Sequence, residues 1–242
     1  MERKLDSWYS QNLGKEMPIV CYGFAGPAFL MFPSAAADYL EYERFYLIDS
    51  IKHHLESGRM RGFSINSINS ESWLSDNVAP RQKAIRHQQF NQYVAEEVYP
   101  YIKRIIDGGK LYTTGVSFGA LHSMNTLLRR PDLFDGCIGM SGVYDLKEYA
   151  KGYFDDDVYF NSPIDYLPNL NDDKVLNELR TDKKIYLYTG SGEYEDPSAS
   201  WKMADELGAK NIPNWVECWD KNWRHDWPTW REMLPQAIEK YF

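Results

Sequence analysis

Ser117 lies in GVSFG, where the apolar run KLYTTGV meets the helix-like run ALHSMNTLLRR. This is the strand–turn–helix setting in which a Gly-x-Ser-x-Gly serine works as a nucleophile. A sharp turn holds the serine in a strained backbone conformation, and glycines on either side leave room for the chain to approach itself. Gly115 and Gly119 supply that room. The turn lifts the hydroxyl of Ser117 above the carboxyl ends of the strands and aims the amide of Phe118, at a helix N-terminus, at a developing oxyanion. A serine between glycines is also met as a plain connection; the correct flanks on both sides favour the chemical reading.

A hydroxyl at neutral pH is a weak nucleophile and needs a histidine within hydrogen-bond reach. Of the five histidines, His53, His54 and His87 precede the serine on helix-like segments with polar neighbours, and the expectation for them is a solvated face. His122 follows five residues after Ser117 on the same helix and is expected to turn away from it. His225 alone comes late, 108 residues after Ser117, in the loop WDKNWRHDWPTW beyond the last strand-like run. It is the candidate base.

The orienting acid is expected between serine and histidine, at the end of KIYLYTG. Glu193, Glu195 and Asp196 all follow in GSGEYEDP, and Glu193, nearest the strand end, ranks first. Asp145 in GVYD is a more remote candidate. A second amide donor is expected from the loop after an early strand, and in AFLMFPSAAADYLEYE the small residue Ala35 fits it. The acidic run Asp155 to Asp157 lacks the ligand spacing of a calcium loop and reads as solvated surface.

These residues must be held by alternating strands and helices. Strand-like runs are MPIVCYG, AFLMFP, GFSINSI, KLYTTGV, CIGMSGV, KIYLYTG and NWVECWD, with helix-like stretches near 36–57, 81–107, 118–130, 198–209 and 228–241. The pattern predicts an α/β fold, a mostly parallel sheet covered by helices on both faces. The first two runs predict an antiparallel edge hairpin. One domain is expected over residues 1–242, with a lid-like excursion at 142–173, a stretch rich in Tyr, Asp, Asn and Pro. Trp215 and Trp219 should share a strand face, and Trp227 and Trp230 should anchor the last helix, most of the late tryptophans being core.

A net charge of −8 is the wrong sign for a polyphosphate surface, so no nucleic-acid partner is expected. Cys21, Cys137 and Cys218 have no CxxC spacing and read as small apolar fillers in a reduced compartment. No apolar leader and no long apolar run is present, so neither export nor membrane insertion is expected and the cytoplasm is the default. A homo-oligomer remains open.

The stretch GVSFGALHSMNTLLRRPDLFDGCIGMSGVYDL, with ESW before it and HDWPTW far after it, resembles the esterase family of α/β-hydrolases. That family includes S-formylglutathione hydrolases, feruloyl and acetylxylan carbohydrate esterases, and mycolyltransferases. The chain departs from it in carrying WRH where a glycine is usual and Glu193 where the acid is usually Asp. The resemblance implies the α/β-hydrolase fold and a triad of Ser117, Glu193 and His225. It further implies an oxyanion hole from the amides of Phe118 and Ala35, and ester hydrolysis without cofactor or metal on small-molecule or oligosaccharide esters. Acyl transfer, thioester cleavage and a non-catalytic binding shell are the competing readings.

Overall fold

In the computed structural model, which describes residues 1–242, β1 (Arg3–Ser10) and β2 (Lys15–Tyr22) pair antiparallel, Arg3 opposite Tyr22 and Ser10 opposite Lys15. β1 is the sheet edge and mostly exposed, which is why RKLDSWYS carries charge where an inner strand would be apolar. β3 (Ala28–Phe32) is buried along its whole length. It lies parallel between β4 (Arg61–Ile65) and β5 (Leu111–Val116), while β2 pairs antiparallel with β4. The expected hairpin of MPIVCYG with AFLMFP is therefore corrected. The edge hairpin is β1–β2, and β3 crosses into the sheet interior because AFLMF needs cover on both faces.

β6 (Gly136–Met140), β7 (Lys184–Thr189) and β8 (Trp215–Cys218) continue the parallel ladder from β5. The eight strands run in the order β1-β2-β4-β3-β5-β6-β7-β8. All strands from β3 onward point the same way, so their carboxyl ends share one rim.

Helices cover both faces. The stretch 36–57, expected as one helix, is three short pieces, α1 (Glu41–Arg44), α2 (Leu47–Ser50) and α3 (Lys52–Glu56), interrupted where Tyr46 adopts φ 61°. α4 (Pro80–Tyr93) and α5 (Tyr99–Ile106) are joined by a π-helical turn at Val94–Val98. α6 (Phe118–Arg129) is buried from Phe118 through Leu128 and packs against β3, β5 and β6.

The excursion holds two short helices, α7 (Asp156–Tyr159) and α8 (Pro163–Tyr166), the first capped by the Asp155 carboxylate on Val158 N–H. Asp155 is thus a helix cap rather than plain solvated surface. Within this segment Leu146, Ala150 and Val158 pack with Trp73, Ala84, Phe118 and Leu121, which seats it against the start of α6. Each such buried Leu, Val or Phe contributes about 1.5–3 kcal/mol by leaving water. An unanticipated helix, α9 (Asp173–Arg180), precedes β7; α10 (Pro197–Ala209) and α11 (Trp227–Tyr241) close the chain.

The main core lies on one face of the sheet around Phe63, Phe90, Met124 and Leu187, and a second core lies on the opposite face around Phe29, Met31, Met140, Trp230 and Leu234. No helix is long and apolar enough to cross a membrane.

Candidate active site

A single residue, Ser117, separates β5 from α6, with φ 54° and ψ −119°. A non-glycine residue in this region is strained by roughly 1–3 kcal/mol and persists only where its surroundings impose it. They do so through close backbone packing. A Cβ on Gly119 would lie 2.3 Å from Phe32 O, and one on Gly115 would lie 2.2 Å from the Gly119 carbonyl carbon. Glycine at both positions lets the start of α6 press onto β5 and the end of β3. The Ser117 N–H donates to Met140 O at 2.8 Å, fixing the turn against β6.

His225 sits in the loop between β8 and α11, with Nε2 2.9 Å from Ser117 Oγ. Its ring meets Trp230 edge-on at 5.1 Å, and its side chain is 25% exposed, open enough to face a ligand. Asp226 next to it caps α11 through Trp227 N–H, so the helix start holds the loop that carries the histidine.

The acid at His225 differs from the expected one. Glu195 Oε2 lies 3.4 Å from His225 Nδ1, and its side chain is 1% exposed. Glu193 is exposed and contributes its backbone instead, its carbonyl accepting the His225 N–H at 3.0 Å. The reason is the path of the loop after β7. Gly190 and Gly192 lie flat against the Trp223 carbonyl, where any Cβ would come within 2.6 Å, and Gly192 N–H donates to Trp223 O. The chain then reverses at Tyr194, φ 63°, and brings Glu195 under the imidazole. Of the other acids, Asp196 caps α10 through Ser198 N–H, and Asp145 faces Lys147 and Lys202 at 3.7 and 4.0 Å.

One partner of Glu195 went unread in the sequence. Ser141, at the end of β6 with φ 48°, donates from Oγ to Glu195 Oε1 at 2.5 Å and accepts from Trp230 Nε1 at 2.9 Å. Only the SG after β6 could have drawn notice to it.

The amides expected as oxyanion donors are both unengaged: neither Phe118 N–H nor Ala35 N–H meets a protein acceptor. Ala35 is left-handed at φ 41°, inside a turn closed by Ala37 N–H on Ser34 O. Both sides of that amide are tied down. Ser34 donates from N–H and Oγ to Glu41, at 2.7 and 2.6 Å, and Ala35 O accepts from Asn69 Nδ2 at 2.5 Å. Burial pushes the Glu41 carboxyl up to about 6, against the two bonds from Ser34, which favour its charged form.

Of the three histidines expected on solvated faces, His53 is exposed, and His54 and His87 are not. His87 and His54 are buried, at 0% and 3% exposure, because α4 and α3 turn these faces inward. His122 is buried too and bonds His87. The late tryptophans are less internal than expected. Trp230 is core, but Trp215 is 54% exposed, since β8 is an edge strand with one side in solvent, and Trp201, on α10, is 48% exposed.

A cavity of about 390 Å³ opens beside His225, lined by Tyr144, Tyr149, Tyr194, Asp145, Lys147 and Lys202 among others. Its walls mix aromatic faces with charges of both signs. No group of His, Cys, Asp and Glu is arranged to hold a metal ion.

Residues 64–241 match a protein family described as Putative esterase. Among solved structures, a ferulic acid esterase superposes with TM-score 0.77 at 17% identity, over 98% of this chain and 96% of the other. An S-formylglutathione hydrolase from Staphylococcus aureus gives TM-score 0.68 at 16% identity, covering 98% and 96%. The MPT51 (FbpC1) protein of Mycobacterium tuberculosis gives 0.73 at 12% identity, covering 99% and 97%. At such identities these likenesses speak for the shared α/β-hydrolase fold. No curated protein sequence matches the chain.

Proposed function

Since the chain belongs to this esterase family and is a serine carboxylic-ester hydrolase, we propose that Ser117, His225 and Glu195 are the residues that carry the reaction. The observation that carries this reading is the 2.9 Å contact of Ser117 Oγ with His225 Nε2 at a serine held at positive φ. Ser117 Oγ bonds to the ester carbonyl carbon while its proton passes to His225 Nε2. The carbonyl π electrons move onto oxygen, where the N–H groups of Phe118 and Ala35 receive the anion. The C–O bond to the alcohol then breaks, the alcohol leaving with the proton from His225. Water repeats the sequence in reverse to free the acid and restore the serine. Glu195 holds the Nδ1–H of His225 and stabilises the imidazolium formed in each half. General-base help contributes about 10²–10⁴-fold and one oxyanion donor about 10²–10³-fold.

Small or carbohydrate-linked acyl esters are the proposed substrates. The cavity beside His225 supports this, because tyrosine faces suit a sugar or aryl ring and the flanking Asp145, Lys147 and Lys202 suit hydroxyls. A reduced, cytoplasmic setting is part of the reading, supported by three unpaired thiols.

The test is hydrolysis of p-nitrophenyl acetate, butyrate and feruloyl esters by wild type and Ser117→Ala at neutral pH. Turnover abolished by the substitution upholds the reading; turnover unaffected by it, or none at all, defeats it.

A further inference from the structure

The Ala35 carbonyl is the end of a buried chain of side-chain hydrogen bonds that begins at Trp73. Trp73 Nε1 donates to His87 Nδ1 at 2.8 Å, and His87 Nε2 meets His122 Nδ1 at 3.1 Å. His122 Nε2 meets Asn69 Oδ1 at 2.9 Å, and Asn69 Nδ2 donates to Ala35 O at 2.5 Å. All four side chains are at most 2% exposed. They come from four segments: the connection after β4 supplies Asn69 and Trp73, α4 supplies His87, α6 supplies His122, and the loop after β3 supplies the acceptor.

Both ends set the polarity. An indole N–H can only donate and a backbone carbonyl can only accept. His87 must therefore be unprotonated at Nδ1 and carry its proton at Nε2; His122 must accept at Nδ1 and donate from Nε2; Asn69 must present oxygen to His122 and nitrogen to Ala35. One arrangement of protons satisfies every member, and an added proton on either imidazole would set two donors face to face.

We infer that Trp73, His87, His122 and Asn69 form a positioning relay that locks the Ala35 turn and so aims the Ala35 N–H at the carbonyl oxygen attacked by Ser117. The inference rests on the ester-hydrolase reading above. Ala35 needs such a lock because alanine at φ 41° is disfavoured, and of the two bonds its carbonyl accepts, the one from Asn69 Nδ2 at 2.5 Å is shorter than the one from Ser67 Oγ at 3.2 Å. Glu41 grips the preceding Ser34, so the free amide is held from both sides. His122 also ties the turn to the nucleophile, since it is carried on the helix that begins just after Ser117.

The decisive variant is Asn69→Asp, which keeps the size and the acceptor for His122 but replaces the donor to Ala35 with an oxygen. Asn69→Ala and His122→Gln accompany it, and Ser117→Ala is the control. Rates are normalised to active sites titrated with a fluorophosphonate, so unfolded protein does not count. The expectation is a fall in kcat of about 10- to 100-fold with KM within about twofold, because a misaimed oxyanion donor is felt in the transition state and hardly in substrate binding. A trifluoromethyl ketone that forms the tetrahedral adduct should lose affinity in parallel. An unchanged kcat per active site in Asn69→Asp overturns the relay, as does a loss confined to KM.

The nitrogen-15 spectrum of the wild-type histidines decides independently of activity. Nε2–H tautomers for both His87 and His122 uphold the relay, and an Nδ1–H tautomer at either overturns it. A wild type without Ser117-dependent turnover brings down the hydrolase reading instead, and the tautomers still decide whether the relay is built as described.

Discussion

Ser141 Oγ stands 2.5 Å from Glu195 Oε1, on the opposite side of the carboxylate from the His225 contact at 3.4 Å. The carboxylate is thus gripped from behind, while its bond to the histidine is long for a charge-assisted pair. Glu195 rather than Glu193 should therefore behave as the acid. Glu195→Gln is expected to lower kcat by about 10³–10⁴-fold, as loss of the orienting carboxylate does in serine hydrolases. Glu193→Gln, altering an exposed side chain whose backbone alone reaches His225, should stay within about twofold of wild type. Steady-state kinetics of the two variants decide; the opposite ranking would return the role to Glu193.

Ser141 itself is the next test. Its hydroxyl satisfies both a Glu195 oxygen and the indole N–H of buried Trp230. Ser141→Ala leaves both without that partner, and a buried unpaired polar group costs about 1–3 kcal/mol. The variant should unfold at lower urea than wild type and lose several-fold in kcat. If Ser141→Ala matched wild type in midpoint and rate, the grip on Glu195 would be unimportant.

Why the meeting of Ser117 with His225 could be read from the sequence and the place of Glu195 beside them could not is a matter of range. Ser117 is marked by its immediate neighbours, an apolar strand before and a helix after, and His225 by being the one histidine late in the chain. Glu195 depends on a reversal at Tyr194 and on glycines pressed against Trp223, a contact between two loops that no local pattern encodes. The Trp73–His87–His122–Asn69 chain is further out of reach, since its members lie on separate segments and a buried histidine looks like a solvated one when only neighbours are visible. At the level of the fold, β3, β5 and β6 were legible because all their residues are buried. β1 was not, because an edge strand exposed on RKLDSWYS has no apolar signature.

The thiols offer a check on burial and on mechanism together. Cys137 is buried, and desolvation pushes its thiol up to about 11; Cys21 is half-buried and likewise pushed up to about 11; Cys218 is exposed. With Ellman's reagent at pH 8 the native protein should release about one thiol equivalent rapidly, from Cys218, and all three only in denaturant. Alkylating that thiol should leave ester hydrolysis intact; an enzyme silenced by it would point to Cys218 close to the chemistry.

The buried histidine pair should make stability depend on pH in a definite direction. Burial lowers the His122 imidazole to about 3; for His87, burial first and then the charges of His122 and Arg129 hold it well below its usual value. A histidine whose folded pKa lies below its unfolded value of about 6.5 binds protons more readily when unfolded, so its contribution is complete above about pH 6.5 and is lost as the pH falls toward the folded value. The slope is about 1.4 kcal/mol per pH unit for each imidazole. Glu41 acts oppositely. Raised to about 6, it stabilises below its unfolded value and loses that contribution as the pH rises through 6, which offsets one histidine between about pH 4.5 and 6. One imidazole's worth of slope survives, so unfolding free energy should drop by roughly 2–4 kcal/mol between pH 7 and pH 5. Urea midpoints across that range measure it. In His122→Gln the slope should shrink by about one imidazole's share, and a variant with the wild-type slope would show that His122 is not held neutral by the fold.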